Sequence, residues 1–527
     1  MLPISEIQQG LELLLQPQPL LWLVVGLILG FIAGALPAFD SANAAALLLS
    51  FSILLSTETA LILMAAVYVG AQVAGAVPAI LLNVPGTAGA AATALDGYPL
   101  ARQGKGGLAI GAARMASTVG GVVGAGFVLL AMPPMTRLAL NFGSPEMFVV
   151  AVFGLTIIGS VTGKSLVRGL LSGFMGLLIA SMAASPATGQ ARLTFGYLEL
   201  YEDVPFVPVV IGVFGMAQML VFAAEREAKL VQADTGEAPA ADVGGKVGLL
   251  VRATKRVGTR IGSDVAEGWE GIKLACRYPV NLGRSSLIGT VVGTIPGMGT
   301  SIGNFISYAE ARRTSKHPET FGKGNPEGVI ASEATDNAVA AGSLVPTLAL
   351  GIPGSATAAI MLAALYLHGV QPGPRVMTQN VGEAYAVILS VILAALLILP
   401  IGVLLAAPMI RVVQVPRQYL IPLIMVIAMV GALALRGAMF DVGLMMLFGV
   451  VGFLMRQADI PVVPLVLGLI LGPIAEANLV RAIALGRGEL NILWASTTSR
   501  VLIALTVLVV VYTAVQEFRS RQRIKQL

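Results

Sequence analysis

The chain has 527 residues, of which 56% are hydrophobic and 12% charged, with a formal net charge of +5; soluble domains carry about 25% charged residues, so a soluble globular protein is excluded. Lys and Arg gather in loops, which marks membrane topology and not nucleic-acid binding. The single Cys276 excludes an intramolecular disulfide and any cysteine cluster for metal, so the thiol says nothing about compartment.

Apolar stretches able to cross a ~30 Å hydrocarbon core, each about 20 helical residues, recur roughly a dozen times. The alternation of a membrane barrel strand is absent, so the expected fold class is all-α and polytopic. Residues 1–18 hold Glu6 and Glu12 but no Lys or Arg, and are expected to face away from the cytoplasm. Leu20–Ala38 follows no basic n-region and reads as a retained first helix, not a removed signal peptide. That run breaks at Gly34-Ala-Leu-Pro37, and apolar sequence resumes at Ala44 and continues past Glu58 to a Pro-Gly break at residues 78–87. Leu95-Asp-Gly-Tyr-Pro99 and a basic loop, Arg102-Gln-Gly-Lys105, follow. Further spans are expected near 107–132, 146–162, 166–184 and 204–223, with turns at Pro133-Pro134, Gly143-Ser-Pro145 and Gly163-Lys164.

Residues 224–283 differ in kind. A polar linker from Ala224 to Gly245 reads as flexible. Val247, Leu250, Val251, Val257, Ile261, Val265, Trp269 and Ile272 then recur every three or four residues, with Lys246, Arg252, Lys255, Arg256 and Arg260 between them. This is an amphipathic basic helix, either in a membrane interface or packed on the protein body, and either way cytoplasmic. Later spans are expected near 286–310, 328–351, 354–371, 382–412, 417–435, 437–455, 459–477 and 500–517, before a basic cytoplasmic tail at Arg519–Lys525. Four regions result: a first membrane repeat at 1–223, the linker and basic helix at 224–283, a second membrane repeat at 284–480, and a final helix and tail at 481–527.

The repeat rests on two correspondences. Pro78-Ala-Ile-Leu-Leu-Asn83-Val-Pro85-Gly86-Thr87 matches Pro346-Thr-Leu-Ala-Leu-Gly351-Ile-Pro353-Gly354-Ser355, and Gly30-Phe-Ile-Ala-Gly34-Ala-Leu-Pro37 matches Gly289-Thr-Val-Val-Gly293-Thr-Ile-Pro296 at nearly the same separation. Proline lacks the helical N–H and Gly loosens the backbone, so each motif interrupts a helix. Within a membrane, such interruptions persist only in protein or beside a cavity. The first copy is entered from a segment without Lys or Arg and the second from a loop rich in both, so the repeat is expected to be inverted, as in secondary transporters.

Helix N-termini bind anions through free N–H groups and the helix dipole. The candidate substrate residues are therefore Asn83, Pro85, Gly86 and Thr87 with Pro353, Gly354 and Ser355, Thr87 and Ser355 being capping hydroxyls; the alternative is that these breaks serve packing alone. A coupling cation, Na+ or H+, needs oxygen ligands, for which Ser41, Asn43, Thr300, Ser301 and Asn304 are candidates, each of them otherwise a helix–helix hydrogen bond. Asn83 suits either role. Glu333, Asp336 and Asn337 are either functional ionisable groups at membrane depth or the acidic first turn of a helix. Arg114 snorkels to the surface or meets substrate, the former favoured; His368 reads as structural, and Arg436 with Asp441 as bounding a short turn. No G-x-x-x-x-G-K-S/T loop, no H-E-x-x-H pair and no catalytic constellation occurs, so the chain does not hydrolyse ATP, carries no zinc site or other cofactor, and does not read as an enzyme.

Gly34-Ala-Leu-Pro37, Tyr68-Val-Gly-Ala-Gln72, Asn83-Val-Pro85-Gly86-Thr87, Leu95-Asp96-Gly97-Tyr98-Pro99, Gly293-Thr-Ile-Pro-Gly297, Glu333-Ala-Thr-Asp336-Asn337-Ala and Gly351-Ile-Pro-Gly-Ser355 together resemble the large membrane subunit of tripartite tricarboxylate transporters, the TctA family. The resemblance runs from about residue 20 to 480. It departs where the family's first motif reads Leu-Pro-Gly, because Ala38 follows Pro37 here. The resemblance implies uptake of small organic carboxylates in the bacterial inner membrane, driven by a sodium or proton gradient. It implies two partners, a small four-helix membrane subunit and a periplasmic solute-binding protein, and by analogy of architecture an elevator movement. The alternative is a channel or exporter for small anions that needs no binding protein.

Overall fold

The computed structural model describes all residues except 1–3, 162–164, 186–188, 202–203, 235–260, 406–407, 410–411, 413–414 and 526–527. The linker and the first part of the amphipathic helix expected at 224–260, and the turn at Gly163-Lys164, therefore lie wholly or largely outside the described residues.

The first half runs through α1 (Ile4–Leu14), α2 (Pro17–Gly34), α3 (Ser41–Ser52), α4 (Thr57–Ala74), α5 (Ala76–Leu82), α6 (Ala90–Arg102), α7 (Gly106–Ala139), α8 (Ser144–Val161), α9 (Leu166–Ala180) and α10 (Phe206–Glu225). The second half presents the same order in α11 (Ile261–Cys276), α12 (Pro279–Thr294), α13 (Gly299–Thr314), α14 (Pro326–Gly342), α15 (Leu344–Leu350), α16 (Ala356–Leu367), α17 (Val381–Leu404), α18 (Arg417–Arg436), α19 (Met439–Gln457) and α20 (Val463–Leu485), and α21 (Thr497–Lys525) follows. The one sheet among the described residues is the two-residue pair β1 (Ala183–Ala184) and β2 (Ala191–Arg192). Nine helices among the described residues are long and apolar enough to cross a membrane. The broken and short ones, such as Ser41–Ser52 and Ala356–Leu367, fall below that length, which is why apolar runs outnumber full-length spans.

The helix starts follow ordinary chemistry. Pro17 and Pro279 occupy first turns, where their missing N–H costs nothing. Asp40 accepts from Ser41 N at 2.7 Å at the start of α3, and Asn325 accepts from Glu327 N at 2.8 Å at the start of α14. Pro133 and Pro134, expected to mark a turn, lie inside α7. Proline keeps helical φ; it gives up its own N–H and crowds the carbonyl four residues back, a local cost that does not stop the long helix near its end.

A larger correction concerns 286–310, expected as one span. It is a hairpin. Small residues let α2 lie directly on α4: a Cβ on Gly26, Gly30 or Gly34 would fall 2.8, 2.6 and 2.2 Å from the carbonyl oxygens of Leu63, Val67 and Ala71 in turn. Both series ascend, so α2 and α4 are parallel, and α3 must carry the chain back. Gly289 and Gly293 meet Thr335 O and Val339 O in the same way, which makes α12 parallel to α14 and α13 the returning arm. Gly297 (φ 84°) and Gly299 (φ 63°) supply the left-handed conformations of the second reversal. In the first, the place of Gly297 is taken by Ala38, which adopts φ 60°. An L residue there costs roughly 1–2 kcal/mol. Ala38→Gly is accordingly expected to stabilise the protein by about 1 kcal/mol after allowing for glycine's greater unfolded-state freedom, read as a higher Tm in detergent.

Each hairpin tip rests on the Pro-Gly loop of its own half. Ala38 N donates to Pro85 O (3.4 Å) and Gly297 N donates to Gly354 O (3.3 Å). The halves also exchange helices. α7 packs on α11 and α14, where a Cβ on Gly111 would fall 2.0 Å from Gly268 O and one on Gly120 2.0 Å from Ala334 O. Reciprocally, α17 packs on α1 and α4, with Gly10 against Tyr385. Helix α4 is wholly enclosed by this arrangement, whereas α21 lies at the rim.

Candidate functional site

α5 and α15 are equivalent seven-residue helices, each ended by a left-handed residue, Asn83 (φ 57°) and Gly351 (φ 70°). Val84 N donates to Pro78 O and Ile352 N to Pro346 O, so the first proline of each motif provides the acceptor that closes the turn. The chain then doubles back. Gly86 N donates to Gly75 O at 3.2 Å, which returns the loop to the level at which α5 began, and α6 starts from there. Each Pro-Gly loop thus delivers a fresh helix N-terminus to the centre of the molecule.

These two N-termini and the two that follow the hairpin tips converge on one cavity of about 450 Å3. α3 contributes Asp40 and Ser41, the approach to α6 contributes Ala88, α13 contributes Gly299, Thr300 and Ser301, and α16 contributes Ser355, Ala356 and Thr357. Tyr68, Gln72 and Pro353 complete the polar and loop wall, and Ile158 and Val463 belong to its apolar side. The wall is tied together across the halves. Ser41 Oγ lies 2.7 Å from Thr357 Oγ1 and donates to Gln72 Oε1 at 2.9 Å, and Tyr68 OH lies 2.7 Å from Ser355 Oγ. Ser355 caps α16 by accepting from Ala358 N at 3.1 Å. Among the described residues no Lys or Arg lines the cavity, so an anion there meets N–H dipoles and hydroxyls. The one carboxylate in the wall, Asp40, is engaged as the cap of α3.

Of the residues singled out from sequence, Ser41, Thr300, Ser301, Pro353 and Ser355 line this cavity. Asn304 stands one layer behind, donating to Asp336 Oδ1 at 2.8 Å. Asn43 faces elsewhere: in the orientation that satisfies both ends of its amide, it donates to Phe214 O (2.9 Å), within the π-helical stretch of α10, and accepts from Asp40 N. Asn83 is exposed at its helix cap. Pro85, Gly86 and Gly354 join the Pro-Gly loops to the hairpins, Gly86 closing on Gly34 O and Gly354 on Gly293 O. Thr87 is not a cap, because α6 begins at Ala90 after Gly89; its buried Oγ1 has no partner. Tyr68, Gln72, Thr357 and Asp40 were not among the site candidates. Tyr68 and Gln72 were legible as a polar pair four residues apart in an apolar helix, Thr357 as the second hydroxyl after Pro353, and Asp40 as the acidic residue preceding Ser41.

Glu333, Asp336 and Asn337 are buried in the middle of α14 and not at its start. Glu333 accepts from Thr93 Oγ1 (2.5 Å) and Ser117 Oγ (3.1 Å), and Asn337 Nδ2 donates to Ser117 O. Arg114 is buried against Gly402 and Met409 and does not snorkel. His368 Nε2 lies 3.2 Å from Ser52 Oγ, a structural place, and Arg436 pairs with Asp441 across the turn between α18 and α19.

A larger cavity of about 600 Å3 lies between α8, α20 and the 371–375 segment, with Arg375 and Arg481 in its wall. It lies away from the paired Pro-Gly loops except for Leu350, Gly351 and Ile352, whereas the smaller cavity takes in the starts of α3, α13 and α16 together, so the smaller cavity is the better candidate.

A family model described as the tripartite tricarboxylate transporter TctA family matches residues 20–467. An Agrobacterium vitis protein, described as an uncharacterized 52.8 kDa protein in the TAR-I ttuC' 3' region, is 32% identical over 519 residues, covering 98% of each chain. A second Agrobacterium vitis protein, from the TAR-II ttuC' 3' region, is 30% identical over 234 residues, 44% of this chain and 97% of its own. No solved structure matches the chain.

Proposed function

Because this chain belongs to the TctA family, the large subunit of tripartite tricarboxylate transporters, we propose that the cavity between its paired breaks binds a small organic carboxylate and carries it into the cell. The family is a transporter family, and the chain is a multi-pass membrane protein. The observation that carries the proposal is the convergence of four helix N-termini and the hydroxyls of Ser41, Thr300, Ser301, Ser355 and Thr357 on one cavity that no basic side chain lines among the described residues. Its volume suits a small ligand. The proposal includes a bacterial inner-membrane location, a periplasmic binding protein that delivers the carboxylate, a small four-helix membrane partner, coupling to a sodium or proton gradient, and an elevator movement.

Purified protein reconstituted in proteoliposomes with its small partner and candidate binding proteins tests this directly. Ser355→Ala is expected to lower gradient-driven carboxylate uptake about tenfold, since a hydrogen bond to a charged group contributes about 1.5–3 kcal/mol, while membrane yield is kept. Pro353→Ala should act in the same direction. Unchanged uptake in both overturns the site, and uptake that proceeds equally without any binding protein favours a channel.

The matching helix order supports a duplication, and the loop charges support the proposed inversion of the two halves. On a Cys276→Ser background, cysteines placed at Glu12 and at Glu270 are expected to label from opposite membrane faces. Labelling from one face would make the repeat parallel.

A further inference from the structure

Three helices run between the two cavities. α8 passes from Val150 on the larger to Ile158 on the smaller, α20 from Val463 on the smaller to Leu471 on the larger, and α16 from Thr357 on the smaller to Tyr366 on the larger. At roughly 1.5 Å per residue, these stretches set the cavities about 12 Å apart. One buried apolar layer separates them, Val150, Ile158, Ile352, Ala359 and Leu467, in which Ile352 packs into the notch left by Gly154.

The larger cavity lies toward the face from which the chain enters. α16 ends beside His368, whose ring meets Ser52 at the end of α3, and α4 begins directly after Ser52 on that face. α2 runs parallel to α4, so its start at Pro17 lies there too. Residues 1–18, without Lys or Arg, mark this face as the one expected to lie outside the cytoplasm.

The wall of the larger cavity carries the charge that the smaller one lacks. Arg375 belongs to the segment that Gly373 N ties to Leu348 O at 3.0 Å, and Arg481 stands near the end of α20. Both line the cavity, both are exposed, and neither is ion-paired among the described residues. Arg375 Nη1 donates to the neutral Gln371 Oε1 at 2.7 Å. No Asp or Glu lines the cavity among the described residues, and the carboxylates closest to it in sequence, Glu146 and Glu476, accept from Gly143 N and Arg192. A guanidinium holds a carboxylate through two parallel N–H bonds, and a cleft lined by one sign of charge concentrates ions of the other. The smaller cavity offers dipoles and hydroxyls, which bind an anion without a charge pair that must be broken for release.

We propose that the larger cavity is a second anion site, in which Arg375 and Arg481 hold a small di- or tricarboxylate before it passes the apolar layer at Ile352. The proposal rests on the transport reading and deepens it: charge is recognised at the outer site, and the inner site receives an anion already selected.

Cysteine reactivity tests this on the intact protein in lipid nanodiscs, without binding protein. On a Cys276→Ser background, Ala477→Cys places a thiol in the wall. A sulfonate-bearing methanethiosulfonate is expected to modify it about tenfold faster than the trimethylammonium reagent, each rate being divided by that with free 2-mercaptoethanol. Arg375→Gln combined with Arg481→Gln should remove the preference. Citrate or succinate, but not glucose, should slow the sulfonate reagent in a saturable way, and the double substitution should abolish that protection. Equal rates for the two reagents, or no slowing by either carboxylate, overturns the proposal. Should Ala477→Cys fail to fold, Met147→Cys, in the same wall on α8, decides the matter. In proteoliposomes the double substitution should lower uptake at subsaturating carboxylate about tenfold, and unchanged uptake would remove the site from the transport path. Failure of the smaller cavity as the carboxylate site would show separately, as unchanged uptake in Ser355→Ala with the protection at Ala477→Cys intact.

Discussion

Asp96→Ala is expected to lower stability by about 3 kcal/mol or more, removing most folded protein from the membrane. Asp96 sits on α6, fully buried. Its Oδ1 accepts from the backbone N–H groups of Gly322, Gly324 and Asn325 at 2.8, 2.9 and 2.8 Å, and its Oδ2 accepts from Tyr308 OH at 2.8 Å. These donors belong to the second half, where residues 315–325 join the returning arm α13 to α14. Gly322 (φ 80°) and Gly324 (φ 106°) turn their N–H groups inward onto the one oxygen. Without the carboxylate, three backbone donors and a phenol lose their partner, and each buried unsatisfied donor costs about 1–3 kcal/mol. Asp96→Asn should fall between, since an amide oxygen still accepts but its NH2 faces donors. Tyr308→Phe removes one bond and should cost about 1–2 kcal/mol. The check is the fraction of monodisperse protein left after graded heating of detergent extracts; a wild-type-like profile for Asp96→Ala would show that the loop is held by other contacts.

Gly89→Ala is expected to abolish carboxylate uptake while much of the protein still folds. The backbone at Gly89 is ordinary, φ −67° and ψ −37°, so alanine is compatible with it. What objects is space: the methyl group would fall 2.1 Å from Asp336 Oδ1, and Asp336 is short, buried and held by Asn304. Either α6 withdraws from α13 and α14 or the carboxylate is driven from its place, and both deform the cavity wall at Ala88 and Thr300. Overpacking of this kind costs roughly 1–3 kcal/mol, and a displacement of about 1 Å at a binding centre can cost a hundredfold in rate. Uptake in proteoliposomes is therefore expected to fall about a hundredfold or more. Gly126→Ala on α7, where no atom lies within 4 Å of the added methyl, is the control expected to behave as wild type.

Much of this architecture was legible in residues alone. Prolines seven apart followed by Gly and a hydroxyl gave both Pro-Gly breaks, because the loss of a helical N–H is a local fact. Loop charge gave the expected orientation, and the paired motifs gave the two halves. Ser41, Thr300, Ser301 and Ser355 were legible because hydroxyls at helix starts carry a local signal. Tyr68, Gln72 and Thr357 carry a weaker signal, a polar pair one helical turn apart and a second hydroxyl after Pro353, which gains meaning only when Ser41 and Ser355 are brought against them from elsewhere in the chain. Asn83 and Asn43 do not line the cavity for the reverse reason: closeness in sequence to a break does not place a side chain on the side that opens to it.

The sequence by itself determined that this protein lies in a membrane, that its helices are interrupted at corresponding places in two halves, and which motifs it shares with its family. All of these depend on composition, on proline and glycine stereochemistry, and on spacing along one strand of chain. Only the tertiary structure decided that the first element of each half doubles back as a hairpin, that α7 and α17 are exchanged between the halves, and that Asp96 fastens a loop in the half to which it does not belong. It alone set Tyr68 at one helix N-terminus and Asp336 at the other. Close glycine contacts such as Gly34 on Ala71 O choose between a hairpin and a straight span, and those contacts exist only once distant segments share the same space.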